Sequence, residues 1–206
     1  MDRSDYRRGE LNEGDLDSNP IAMLATWIQD ARFANVIEPS AMCVSTVGST
    51  NFPSSRMVLL RGLDNNGLTF YTNTQSRKCE ELELNPGVCA NFWWAQLERQ
   101  VRVEGKIERA SDSQADRYFA ERPRKSQIAA HASPQSQVIA SRSELESSVQ
   151  NFEKLFPETV PRPENWGGFN IVPHCFEFWQ GRRARTHDRF RYRWVGSLWA
   201  IDRLAP

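Results

Sequence analysis

"RQVRVEGKIER" (residues 99–109) repeats with a period of two. Val101, Val103 and Ile107 fall on one side, and Gln100, Arg102, Glu104 and Lys106 on the other. Successive side chains of an extended strand point to opposite faces, so this stretch reads as a half-buried strand with its apolar side on a core. Working outward, "VCANFWW" (88–94) precedes it, and "AMCVSTV" (41–47), "SRMVLLRGL" (55–63) and "LTFYTN" (68–73) have the same character. "DNNG" (64–67) is a hairpin turn, because Asn-Gly tolerates positive φ. Strands return at about 169–179, 189–195 and 198–203. Six or seven antiparallel strands joined by tight turns predict a mainly β fold with flanking helices (α+β), arranged as a small closed barrel.

The helices are marked by caps and by a change of period. "SNP" (18–20) supplies an N-cap followed by proline. Leu24, Trp27, Ile28 and Ala31 then recur at helical spacing, which predicts a helix to about Val36. A short helix is expected over 75–84, stopped by "NPG". Ser111 with Gln114, and Ser143 with Glu146, have capping-box spacing, and Leu145, Val149, Phe152 and Leu155 form one stripe. Residues 1–19 are polar with little periodicity and read as a mobile arm, leaving 20–206 as a single domain.

The 206 residues carry 26 basic and 26 acidic side chains, so bulk nucleic-acid binding is disfavoured. No apolar run is long enough for a membrane span, and no signal peptide is expected. Cys43, Cys79, Cys89 and Cys175 are widely spaced, which argues against zinc and for free thiols in a reducing, cytoplasmic compartment. No metal motif, P-loop or GxGxxG is present.

Positive charge is nonetheless concentrated. "RRARTHDRFRYR" (182–193) packs six arginines and a histidine into twelve positions. Arginines beside His187 would depress its pKa and favour a neutral, hydrogen-bonding imidazole. Arg56 and Arg61 bracket "MVLL" at an odd separation, which on one strand sends them to opposite faces. "SRK" (76–78) opens a predicted helix where a phosphate could sit, and "YFAERPRKSQ" (118–127) combines an aromatic ring, cations and a serine. Each alone reads as a solvated face. Together, on an apolar barrel with hydroxyls and tryptophan nearby, they suit a flat aromatic ligand bearing a phosphate.

Several blocks in one order, "SRMVLLRGLD", "FYTNTQSRK", "ERQVRVEGKIER", "YFAERPRKSQIAAHASPQS", "WGGF", "EFWQG", "RTHDRF" and "IDRLAP", resemble the pyridoxine/pyridoxamine 5′-phosphate oxidase family from Tyr6 to Pro206. The resemblance implies an FMN-binding antiparallel split β-barrel acting as a homodimer with two active sites at the subunit interface. It implies oxidation of pyridoxamine or pyridoxine 5′-phosphate to pyridoxal 5′-phosphate. O2 is the acceptor, giving H2O2, and NH3 is released from the amine. FMN contacts implied are Arg56, Met57, Val58, Leu59, Leu60 and Arg61 on one strand, with Tyr71 and Thr72 on its neighbour. Arg77 and Lys78 would hold the FMN phosphate, and Gln100, Gln135, Ser136, Trp179 and Arg189 would complete the site, some from the partner subunit. Tyr118, Arg122 and Ser126 would take the substrate phosphate. Arg61, Arg185 and His187 would contact the substrate, Arg185 and His187 as the catalytic pair, with Arg3 and Tyr6 in an arm closing over them. Spacing by two would put Arg185, His187 and Arg189 on one side of an extended segment, with Arg182 and Arg183 solvated.

Three residues depart from the family pattern. Arg61 stands where lysine is usual, Thr186 replaces an apolar residue, and Gln137 replaces a frequent serine. Two rival readings are a flavin oxidase of the same fold acting in phenazine biosynthesis, and a non-catalytic flavin- or anion-binding barrel. The Tyr118, Arg122 and Ser126 set weighs against the first and the neutral net charge against the nucleic-acid form of the second.

Overall fold

A computed structural model describes residues 5–206. The first helix, α1 (Pro20–Phe33), starts where the sequence signals it. Asn19 is the cap, its side chain accepting the Ile21 N–H at 3.0 Å, and Pro20 opens the first turn. Five strands and a helix follow in the order β1 (Ala41–Val47), β2 (Pro53–Leu59), β3 (Gly62–Asp64), β4 (Gly67–Asn73), α2 (Arg77–Leu84) and β5 (Gly87–Trp94). Then come β6 (Arg99–Arg109), α3 (Asp112–Glu121), α4 (Arg124–Ala132), α5 (Arg142–Leu155), β7 (Trp166–Gln180), β8 (Asp188–Val195) and β9 (Leu198–Arg203).

All strand pairs are antiparallel and form one sheet in the order β2-β1-β5-β6-β7-β4-β3, with β8 added on β7 and β9 on β8. The path has two ends, so the barrel is split rather than closed, and it holds nine strands rather than six or seven. The physical reason lies at Leu60 and Arg61. The Leu60 N–H donates to Ser40 O beside β1, and the next N–H, of Arg61, donates to Thr69 O on β4. The stretch 55–63 therefore changes partner in its middle and becomes two strands.

β6 behaves as its alternation requires, with Val101 and Val103 wholly buried. Its register against β7 shifts between Glu104 and Gly105. A Cβ at Gly105 would lie 2.4 Å from Val172 O, so only glycine allows the strands to approach there. The main core joins α1 (Leu24, Trp27, Ile28) to the inner face of the sheet (Phe92, Trp94, Phe176, Phe178, Tyr192). A second cluster packs Ala115, Phe119 and Ile128 from α3 and α4 on Trp166 and Val160.

Two helix expectations need correction. Ser111 and Gln114 do form a capping box, but the cap of α5 is Ser141, whose hydroxyl accepts the Glu144 N–H at 3.2 Å. Ser143 lies inside the helix. Leu155 is 63% exposed, so the α5 stripe ends at Phe152.

The N-terminal segment from Asp5 runs along the C-terminal strands. Leu11 is buried and its N–H donates to Asp188 Oδ2 at 3.1 Å. The Arg7 and Arg8 N–H groups both donate to Glu98 Oε2, at 2.8 and 2.9 Å. Among the described residues no helix is long and apolar enough to cross a membrane, and all four cysteines are free thiols.

Candidate active site

The partner switch at Leu60 opens a cleft of about 870 Å³ between β2, β4 and helices α2, α3 and α4. Because the strand breaks there, Arg56 and Arg61 line the same cleft, which corrects the expectation of opposite faces. Met57, Val58 and Leu59 also line it, whereas Leu60 is 8% exposed and belongs to the core.

One end of the cleft is built around a buried ammonium. Lys78 is 5% exposed, and its Nζ donates to Thr72 Oγ1 and Ser76 Oγ, both at 2.8 Å, and to Gln135 Oε1 at 3.3 Å. None of these is an anion, and no carboxylate lies within ion-pair distance among the described residues. Burial pushes the Lys78 pKa below its ordinary value, and Arg56 adds to this. Thr72 donates onward to Gln135 Oε1 at 3.0 Å, and Ser136 follows in a left-handed conformation (φ 72°). The neighbouring arginines are held by one carboxylate. Glu81 accepts from Arg77 Nε at 2.8 Å and Arg56 Nη2 at 3.2 Å, and from the hydroxyls of Ser54 and Thr46.

Burial works to raise the Glu81 pKa, but the bonds from Ser54, Thr46, Arg77 and Arg56 outweigh it and hold it at about 2. A depressed carboxylate contributes stability above its unfolded pKa and loses it as pH falls through the folded value. Glu81→Gln is therefore expected to destabilise the protein by about 1–2 kcal/mol at neutral pH. The difference from wild type should close between the ordinary 4.5 and about 2. Thermal melts of both proteins across that range check it, and a pH-independent difference would refute the assignment.

The other end is aromatic. Tyr71 stacks on Tyr118 (centroids 4.2 Å, 15°) and on Trp166 (5.4 Å, 5°). A Cβ at Gly168 would sit 2.7 Å from the Tyr71 ring, so the second glycine of "WGGF" is what lets that ring lie flat on β7. Tyr118 and Trp166 also face each other (6.2 Å, 10°), and two guanidiniums border this group of rings: Arg61 Cζ 5.9 Å from the Tyr118 centroid, and Arg122 Cζ 4.8 Å from that of Trp166. The Arg122 Nη1 is buried without a hydrogen-bond partner. Burial and Arg61 lower the Arg122 pKa against the opposing effect of Tyr118. Ser126, on α4, completes this wall. A buried ammonium at one end and an orphaned guanidinium N–H at the other, with stacked rings nearby, fit a flat ligand system carrying anionic groups.

Gln100, Trp179, Arg185, His187 and Arg189 do not line this cleft within the chain. β4 pairs with the Trp166 end of β7 and β8 with its Gln180 end. The stretch between Trp166 and Trp179 corresponds to roughly 40 Å of extended strand. At the far end, His187 packs on Trp179 (4.6 Å), with the edge of Tyr6 5.6 Å from both rings. Gln100 and Arg189 flank Trp179 on β6 and β8. The Arg182 N–H donates to His187 Nδ1 at 3.1 Å, which leaves Nε2 to carry the proton of the neutral ring. Burial lowers the His187 pKa, and Arg185 and Arg189 lower it further against the influence of Asp188. Arg3 lies outside the described residues.

The arginine-rich run is mostly neutralised. Arg182 pairs with Glu10 and Asp188, Arg189 with the buried Glu177, and Arg191 and Arg193 with Asp202. Arg182 is thus not merely solvated. Among the described residues, Arg183 and Arg185 lack such a partner. Arg185 also departs from the expected alternation: residues Arg183–Arg185 form a tight turn, with positive φ at Ala184 and Arg185, and the strand begins only at Asp188.

Comparison with known proteins gives the arrangement a lineage. Residues 28–156 match the family described as "Pyridoxamine 5'-phosphate oxidase", and residues 166–206 match "Pyridoxine 5'-phosphate oxidase C-terminal dimerisation region". A pyridoxine/pyridoxamine 5′-phosphate oxidase of Acaryochloris marina is 47% identical over 205 residues, covering 99% of this chain and 94% of the relative. One from Paraburkholderia xenovorans is 47% identical, covering 99% and 97%. Among solved structures, PhzG from Burkholderia lata in complex with tetrahydrophenazine-1-carboxylic acid superposes with a TM-score of 0.89 at 30% identity, covering 94% of this chain and 95% of that one. A pyridoxamine 5′-phosphate oxidase-related, FMN-binding protein of Nostoc punctiforme shares the fold, with a TM-score of 0.73 at 17% identity over 93% of this chain and all of that one. With both family regions matched in order and full-length relatives well above the threshold of chance, the chain belongs to the pyridoxamine 5′-phosphate oxidase family of oxidoreductases.

Proposed function

We propose that this protein oxidises pyridoxamine and pyridoxine 5′-phosphate to pyridoxal 5′-phosphate in the cytoplasm, using FMN and O2 and giving H2O2, with NH3 from the amine. The observation that carries the reading is the pair of uncompensated cations in one cleft, Lys78 and Arg122. Two phosphates, one from cofactor and one from substrate, would satisfy them. When bound, FMN supplies the two-electron redox chemistry that the side chains lack.

The residues divide the work by position. Lys78, with Arg77 and Arg56, holds the cofactor phosphate, and Thr72, Gln135 and Ser136 fix its surroundings. Arg122, Tyr118 and Ser126 bind the substrate phosphate, so charge-assisted contacts away from the reacting carbon supply affinity for the substrate. Arg61 and the Tyr71–Tyr118 stack close one side of the cleft.

The second cluster fits a homodimer with shared sites. The C-terminal region resembles a dimerisation region, and its cluster lies at the opposite end of β7 from its own chain's cleft. Arg185 and His187 of the partner subunit would then cover the substrate, with Gln100, Trp179 and Arg189 of the partner subunit completing the flavin site. A neutral His187 donating through Nε2 orients the substrate, and Arg185 excludes water. No strong base is required if the amine enters uncharged.

The test is anaerobic mixing of the flavin-loaded protein with pyridoxamine 5′-phosphate. The flavin's visible absorbance should bleach and return on admitting air, with pyridoxal 5′-phosphate formed. Bleaching by a reduced phenazine carboxylic acid, with none by the phosphorylated amine, would favour the activity suggested by the PhzG likeness instead.

A further inference from the structure

We infer that Trp166 is a positioning residue for Arg122, holding that half-buried guanidinium unpaired and fixed at the cleft wall so that it meets the substrate's phosphate. This rests on the reading that Arg122 binds that phosphate.

Arg122 makes no ion pair among the described residues, and its Nη1 is buried without a partner. An arginine with no anion would ordinarily turn its head to water. Here it stays against two rings, 4.8 Å from the Trp166 centroid and 5.4 Å from that of Phe119. Trp166 is itself immobilised. It is 6% exposed, lies parallel to Tyr71, and meets Phe119 edge-on at 4.9 Å. Its carbonyl accepts from Arg162 Nη1 at 2.6 Å, while Arg162 Nε and Nη2 bind Asp116 and Asp112 at 2.6 and 2.9 Å. Those two aspartates lie on α3, and Arg122 caps the C-terminus of the same helix. Arg162 thus ties the Trp166 backbone to the helix that carries the arginine, and the indole face fixes where the arginine's head sits.

The experiment measures KM and kcat for pyridoxamine 5′-phosphate with flavin-loaded Trp166→Leu, Trp166→Phe and Arg122→Gln proteins. Trp166→Leu should raise KM about tenfold and leave kcat within about twofold, the signature of lost phosphate binding. Trp166→Phe keeps a smaller ring face and should recover most of the affinity. A purely structural role would lower the melting temperature or kcat with KM unchanged, and that result overturns the inference. Should the leucine variant fail to fold, the phenylalanine variant decides: a KM rise of about twofold supports the inference, and an unchanged KM refutes it. Arg122→Gln separates the premise from the inference. If its KM is unchanged, the phosphate reading fails. If its KM rises while both Trp166 variants match wild type, only the role of Trp166 is lost.

Discussion

Lys78→Met is expected to weaken flavin binding at least about 30-fold, so that the protein purifies nearly colourless. The reason is the composition of the ammonium's surroundings. Two hydroxyls and an amide oxygen can orient Nζ but cannot neutralise it, and Glu81, on the same helix, is already shared by Arg56 and Arg77. Keeping a charge in that state costs folding free energy, which only an incoming anion offsets. Methionine has similar length and no charge. The flavin-free variant should therefore be as stable as flavin-free wild type or more so, while added FMN raises its melting temperature far less. The two melts together distinguish the proposal from general damage. A variant destabilised without flavin would mean that Lys78 serves the fold, and undiminished flavin binding would remove it from the phosphate site.

What could be read in the sequence depended on how local the determining physics is. The bounds of β1, β6 and β9 follow from alternation and turns, and the start of α1 from Asn19 and Pro20, because each signal lies within a few residues of its effect. The break at Leu60 is set by two hydrogen bonds to distant segments, Ser40 and Thr69, and an uninterrupted apolar run "MVLL" holds no trace of it. Ser141 and Ser143 each stand three residues before a glutamate, so spacing alone cannot choose the cap of α5. The same division holds for the site. Family resemblance named Lys78, Arg122 and Tyr118, and the structure brings them into one cleft. It named His187 and Trp179 equally well, yet only the pairing of β7 with β4 at one end and β8 at the other shows that they lie apart from that cleft in the chain. Trp166 and Glu81 were missed because their weight comes from what they touch: a guanidinium across the stack, and two arginines from different elements. A glutamate in a polar helix turn and a tryptophan before two glycines carry no such signal on their own.

That separation leads to a second large effect, a recovery of activity from two inactive parents. Lys78→Met disables the cleft, and the double change Arg185→Ala/His187→Ala disables the C-terminal cluster; each homodimer should be nearly inactive. If one subunit supplies the cleft and the other the cluster, a mixed dimer concentrates both defects in one site and leaves the second intact. Random reassortment of equal amounts makes about half of the dimers mixed, so about a quarter of all sites, and of wild-type activity, should return. The exchange would be done by co-expressing differently tagged chains and isolating dimers that carry both tags, which raises the expected value to about half. A site formed within one chain gives the opposite result, because every cleft in a mixed dimer would then hold one defect or the other. The two ends of β7 make the first outcome the expected one: for His187 to reach its own chain's cleft, β8 would have to leave the register that pairs Trp179 with Arg189 and Phe178 with Phe190, a residue buried in the main core. Activity that stays at the parental level in purified mixed dimers would therefore refute the shared site, while leaving the phosphate assignments of Lys78 and Arg122 to stand on their own tests.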